Sequence, residues 1–155
     1  MLFRSAQGLE TSFALEDAAI VEEFIEGREL TAAIIGDTVY PVVEIAPKHG
    51  FYDYTNKYEP GMTIEICPAE IPEEKTREIG EIARMAHEVL GVRAYARYDF
   101  LMRESDQAIY CLEANTLPGM TPTSLVPLEA KTRGMSYAEL CQKMIDVSLA
   151  SRDEV

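Results

Sequence analysis

The residues best placed to do chemistry lie in RAYARYDFLMRESDQAIYCLEANT, positions 93–116. Two runs there, 92–102 and 108–115, read as strands, whose side chains point to alternate faces. Tyr98, Phe100 and Met102 share an apolar face of the first run, and Tyr110, Leu112 and Ala114 share one in the second. The other face carries Arg97, Asp99 and Leu101, then Cys111, Glu113 and Asn115. A hairpin centred on Asp106 sets Asp99 opposite Glu113 and Arg97 opposite Asn115. Directly opposed carboxylates repel, and a divalent cation offsets that repulsion. Oxygens from Asp, Glu and Asn, without thiolate or imidazole, suit Mg²⁺ or Mn²⁺ completed by water and phosphate. A solvated acidic face is the alternative, and in a chain with 27 Asp and Glu the spacing alone does not decide.

The residues that follow favour the cation site. Glu113 and Asn115 run into Thr116-Leu-Pro-Gly119-Met-Thr121-Pro-Thr123-Ser124. A Pro-Gly turn beside a cation can offer backbone N–H groups to an oxyanion. Thr121, Thr123 and Ser124 add hydroxyls where a helix begins, a position that favours a carboxylate. Arg97 supplies a fixed cation on the same face. Together these describe a site for a phosphorylated or acyl-phosphate substrate. The stretch 46–61, APKHGFYDYTNKYEPG, holds two glycines, two prolines and four aromatics. It has the make-up of a long surface loop, a lid that excludes water. His49 and His87 read as structural or solvated.

The elements that must position these residues come in a mixed order. A short helix is expected over 5–17 and a strand over 19–25. Two β-rich runs, 29–35 and 38–45, flank a Gly36-Asp37 turn. After the loop, a short strand is expected at 62–66. The clearest helix spans 72–90, with Pro72 at its first position, Glu73 and Glu74 at its positive end and Gly91 as its stop. Short helices near 124–133 and 136–149 close the chain, the last opened by Ser136 with Glu139 three residues on. Strands that come as hairpins predict an α+β architecture, a mostly antiparallel sheet with helices packed on one face.

Composition sets the outer bounds. At 155 residues and 47% hydrophobic, the chain has room for one domain, or one and a piece, with a proper core. Its net charge of −13 argues against nonspecific nucleic-acid binding and against an anionic membrane surface. No apolar run reaches the roughly 20 residues of a membrane span. The opening residues lack a signal-peptide stretch. Cys67, Cys111 and Cys141 form neither a disulfide framework nor a zinc pattern and suit a reducing, cytoplasmic compartment.

Four segments carry a resemblance. GluAlaAsnThrLeuProGlyMetThr (113–121), SerLeuValPro (124–127), the PheTyrAspTyr…LysTyr loop (51–58) and ValGluGluPheIle…GlyArgGluLeuThr (21–31) resemble D-alanine–D-alanine ligases of the ATP-grasp superfamily. The resemblance runs in order from about residue 15 to about 149, and its motif at 113–127 is highly specific.

It implies an ATP-grasp C-terminal domain over 26–155, with 1–25 as a trailing piece of the central domain and hinge. It implies an enzyme that joins two D-alanines with ATP through an acyl phosphate, for peptidoglycan synthesis. Asp99, Glu113 and Asn115 would hold two Mg²⁺ or Mn²⁺ ions on the ATP phosphates. Arg97 and the Gly119 backbone would stabilise the tetrahedral oxyanion. Ser124 and Leu125 would receive the carboxylate of the second D-alanine. Lys57 would reach the γ-phosphate and Tyr58 would help close the loop. Glu22, Glu23 and Ile25 sit at the adenine hinge, and Glu29 matches the ribose position. Glu23 departs from the Lys common in the family there, which puts a side-chain contact to adenine in doubt. Tyr58 and Leu125 match the dipeptide-forming type rather than the D-lactate or D-serine types.

The family's full chain also has an N-terminal and a central domain, and the resemblance allows a homodimeric parent. The 155 residues alone are therefore expected not to turn over. The rival readings are a silent nucleotide- and metal-binding remnant and another ATP-grasp carboxylate–amine ligase.

Overall fold

A computed structural model of the chain describes residues 2–47 and 63–152. Helix α1 (Leu2–Phe13) leads through an irregular segment into strand β1 (Gly27–Ile35). Strands β2 (Thr38–Val39), β3 (Val43–Pro47) and β4 (Thr63–Ile66) follow, then helix α2 (Glu73–Val89). The hairpin β5 (Tyr95–Arg103) and β6 (Ile109–Asn115) precedes helices α3 (Leu125–Thr132) and α4 (Tyr137–Ala150). The sheet runs in the order β4-β3-β1-β5-β6, with β2 also on β1. Every pairing is antiparallel. The predicted α+β class and antiparallel sheet hold.

Helices cover both faces of the sheet, not the one face expected. On one side Ile79 and Ala83 of α2 pack on Leu30, Ala32 and Ile34 of β1 and on Tyr98, Phe100 and Met102 of β5. On the other, Val126 and Ala130 of α3 and Leu140 and Met144 of α4 pack on Ala33 and Ile35. The reason is in β1 itself. Its burial is continuous from Leu30 to Ile35, so both alternating sets of side chains need cover.

Element ends follow their local chemistry. Pro72 stands at the N-cap, one residue earlier than expected, with Glu73 and Glu74 in the first turn. Gly91 ends that helix in the left-handed region, at φ +64°, which a side chain would disfavour. Ser136 and Glu139 form the expected capping box on α4.

Two expected strands change. The run 38–45 is split, because Pro41 has no N–H to give a ladder, and residues 40–42 pass between β2 and β3. The run 19–25 forms no strand. It pairs with no strand among the described residues, and Ile20, Val21 and Phe24 are 89%, 77% and 68% exposed. Most of the aromatic loop expected over 46–61 lies outside the described residues.

Candidate active site

The β5–β6 pairing places the candidate residues on one face. Arg97 lies opposite Asn115, Tyr98 opposite Ala114 and Asp99 opposite Glu113, as the hairpin arithmetic predicts. Beyond Asp99 the register slips by one at a β-bulge, so that Phe100 faces Cys111 and Met102 faces Ile109. Leu112 is the residue passed over, and it is half exposed. The slip corrects the distal faces. Ile109, not Tyr110 or Leu112, packs on the α2-side core with Ala114. Tyr110 instead lies opposite Leu101 and under the guanidinium of Arg103, 4.7 Å from its ring centre. Bulges of this kind gather beside active sites, where they end one register and start another.

Asp99 is held from two sides. Arg97 donates through Nε to Oδ1 at 2.9 Å and through Nη2 to Oδ2 at 2.7 Å, a two-pronged ion pair. Thr31, directly opposite on β1, donates its hydroxyl to Oδ1 at 2.7 Å. Burial lowers the tendency of Arg97 to stay charged, but the hydrogen bonds and charge of Asp99, backed by Glu129 and Glu113, hold its pKa above the usual value. A carboxylate has about four lone-pair positions. The three donors leave Asp99 room for one further ligand bond, and Glu113 is exposed across from it. The amide of Asn115 closes a small turn, its Oδ1 accepting from the Leu117 N–H at 3.1 Å. Among the described residues no cluster of three His, Cys, Asp or Glu could hold a metal. An ion here would take its third protein oxygen from Asn115, and the donor set fits a hard cation completed by phosphate and water.

The loop after β6 is drawn tight around Ser124. The Ser124 hydroxyl accepts from the Thr121 N–H at 3.0 Å and lies 2.8 Å from the Thr121 hydroxyl. A Cβ at Gly119 would stand 2.9 Å from Ser124 Oγ, so only glycine fits there without a shift. Ser124 then serves as N-cap of α3 and Leu125 as its first residue. Tyr137 of α4 fastens the loop by donating to the Met120 carbonyl at 2.5 Å.

The residues expected at the adenine hinge precede β1. Glu23, Phe24 and Ile25 line an open groove of about 380 Å³ together with Arg103 and Glu104. Glu23 approaches Arg103 only to 4.0 Å, and Glu22 is exposed. Glu29 lies in β1 between Ile45 and Leu101. Lys57 and Tyr58 lie outside the described residues.

Sequence reasoning missed two residues. Thr31 is a lone hydroxyl in an otherwise apolar run, and it is wholly buried. Glu129 sits on the apolar face of α3 with Val126 and Ala130, and it too is wholly buried. Its Oε2 accepts the Ala33 N–H at 2.8 Å. Burial pushes the Glu129 carboxyl well above the usual range, against the pull of the Ala33 N–H and Arg97. A polar residue interrupting an apolar stripe was the available signal for both.

Comparison with known proteins covers nearly the whole chain. The model for the D-ala D-ala ligase C-terminus matches residues 5–146. The D-alanine–D-alanine ligase of Nitratidesulfovibrio vulgaris is 45% identical over 147 residues, which are 94% of this chain and 48% of that protein. That of Halalkalibacterium halodurans is 46% identical, covering 92% of this chain and 48% of its own. The structure of the Bacillus anthracis ligase complexed with ATP superposes with a TM-score of 0.82 at 34% identity, over 96% of this chain and 48% of that one. The chain thus spans about half the length of the curated relatives it matches. The opposed strands that bear Asp99 and Glu113, and the tight loop from Gly119 to Ser124, lie inside a match that runs nearly end to end, and the chain belongs to the D-Ala–D-Ala ligase C-terminal family.

Proposed function

We propose that this chain is the C-terminal catalytic half of an ATP-dependent D-alanine–D-alanine ligase, which joins two D-alanines through an acyl phosphate for peptidoglycan synthesis in the cytoplasm. The observation that carries the reading is the cluster of Arg97, Asp99 and Glu113 on paired strands. The family match and the ATP-bound relative support it.

In this reading Asp99, Glu113 and Asn115 hold the divalent ions, two Mg²⁺ or Mn²⁺, that accompany ATP. Such ions neutralise phosphate charge during transfer. Arg97 and the Gly119 N–H stabilise the oxyanion that forms when the second amine attacks. The N-terminus of α3 at Ser124 and Leu125 receives the second carboxylate, since its N–H groups lack partners within the helix. Glu22, Glu23 and Ile25 contribute the hinge against adenine, Glu29 the ribose contact, and Lys57 and Tyr58 the lid. The groove beside Glu23 is consistent with the adenine assignment.

Residues 1–25 act as the trailing piece of a central domain and 26–155 as the catalytic domain. The exposed Ile20, Val21 and Phe24 are the surface such a domain would cover. The first D-alanine subsite and the remaining phosphate contacts then belong to the preceding half, so the isolated chain does not turn over. The test is phosphate release with ATP and D-alanine, with the product identified by mass. The full-length parent should release phosphate and yield the dipeptide. Turnover by the 155-residue chain alone would overturn the division of labour. An ester or a D-serine product from the parent would overturn the substrate assignment.

A further inference from the structure

We infer that Glu129 is a positioning residue that ties the Ser124–Leu125 start of α3 to the Arg97–Asp99 pair; the inference rests on the function proposed above. The tie is a single buried bond between distant parts of the chain, Ala33 N–H to Glu129 Oε2 at 2.8 Å. Ala33 lies opposite Arg97 in the sheet, two residues from the Thr31 that holds Asp99. Glu129 lies four residues into the helix from Leu125.

The bond replaces a missing piece of ladder. In a strand, the N–H and C=O of one residue point to the same side. The Ala33 carbonyl accepts from the Tyr40 N–H at 2.8 Å. The chain then leaves through Pro41, and the Ala33 N–H goes to the helix side chain instead. The sheet therefore has an opening beside the candidate site, and α3 is fastened through it.

One oxygen would suffice for that fastening. The second, Oε1, is buried and has no hydrogen-bond partner among the described residues. Buried polar atoms are nearly always satisfied, and an exception calls for a role. The strand residue it holds, Ala33, lies opposite Arg97, in the β1–β5 pairing that also sets Thr31 against Asp99. Glu129 thus joins the strand opposite Arg97 to the helix whose first turn is assigned the second carboxylate. Its replacement should change where that carboxylate binds relative to Arg97.

The test uses the full-length protein and three variants. Glu129→Ala should raise the KM for the second D-alanine at least tenfold while the KM for ATP changes less than twofold. Glu129→Gln, which keeps an acceptor for Ala33, should recover most of that loss. Leu140→Ala, which weakens the same apolar cluster, controls for stability and should leave the KM ratio unchanged. A Gln variant as poor as the Ala variant, or equal effects of Glu129→Ala and Leu140→Ala on the ratio, would overturn the inference. If the unaltered protein makes no dipeptide, the proposed function fails, and amide exchange decides the positioning role by itself. Exchange at both Ala33 and Leu128, whose N–H donates to the Ser124 carbonyl at 3.1 Å, should then quicken at least tenfold in Glu129→Ala relative to Leu140→Ala. An unchanged Leu128 would overturn the tie.

Discussion

Thr31 stands directly opposite Asp99 across the β1–β5 pairing, and its hydroxyl donates to Asp99 Oδ1 at 2.7 Å in a position closed to solvent. The same hydroxyl has the Tyr98 carbonyl at 3.1 Å as a second acceptor. With Arg97 on its other flank, Asp99 is fixed in place by the protein itself. A ligand that arrives there meets a carboxylate already aimed.

Thr31→Val keeps the shape and removes the hydroxyl. A lost buried bond to a charged group costs about 2 kcal/mol. The chain should unfold at lower denaturant with an unchanged slope, and Thr31→Ser should restore most of the difference. An unfolding midpoint equal to that of the unaltered chain would show that Arg97 alone holds Asp99.

Gly119→Ala forces the loop away from Ser124, because the new Cβ would stand 2.9 Å from Ser124 Oγ. Stability should change little, since the loop is mostly exposed. In the full-length protein the efficiency with D-alanine should fall at least tenfold, with the KM for ATP nearly constant. Steady-state kinetics with each substrate varied in turn would reveal a parallel rise in both KM values if the loop served nucleotide binding instead.

Arg97→Lys keeps the charge but cannot grip both oxygens of Asp99 as a planar fork does. We expect kcat in the full-length protein to fall more than tenfold while the chain stays folded. A kcat within twofold of the parent value would mean that any cation at this position suffices.

The acid limb of the stability curve should report His87. Its Nδ1 lies 2.9 Å from the Tyr98 hydroxyl. Burial lowers the imidazole pKa below 6.5, with Asp37 pulling the other way, and burial raises that of Tyr98 to about 12. The folded state thus binds the His87 proton less readily than the unfolded state. Its contribution is present above pH 6.5 and is lost as pH falls through the lowered folded value. His87→Gln should flatten the loss of stability below that pH, read from denaturant midpoints across a pH series. An unaltered slope would assign the acid limb to carboxylates.

What the sequence disclosed, and what it hid, follows the range of the interactions. The pairing of Asp99 with Glu113 and Arg97 with Asn115 was legible because a hairpin is local and its faces alternate. The capping box at Ser136 and the Gly91 stop were legible for the same reason. The bulge at Leu112 carries no glycine or other signature, so the faces of Tyr110 and Cys111 came out reversed. The run 19–25 has the composition of a strand, but a strand exists only with a neighbour to pair with. Thr31 and Glu129 act on partners 68 and 96 residues away, and no spacing rule reaches that far.

The slip at Leu112 also separates two regions of the hairpin for engineering. On one side are the pairings of Arg97, Asp99, Glu113 and Asn115; on the other is the turn past Arg103, whose exposed tip lies at Glu104–Gln107. Extra length at that tip can be absorbed where the ladder has already changed step. A tag or reporter loop grafted at Asp106 would leave the chemical end of the hairpin in register, whereas one added residue between Glu113 and Asn115 would turn those two side chains to opposite faces.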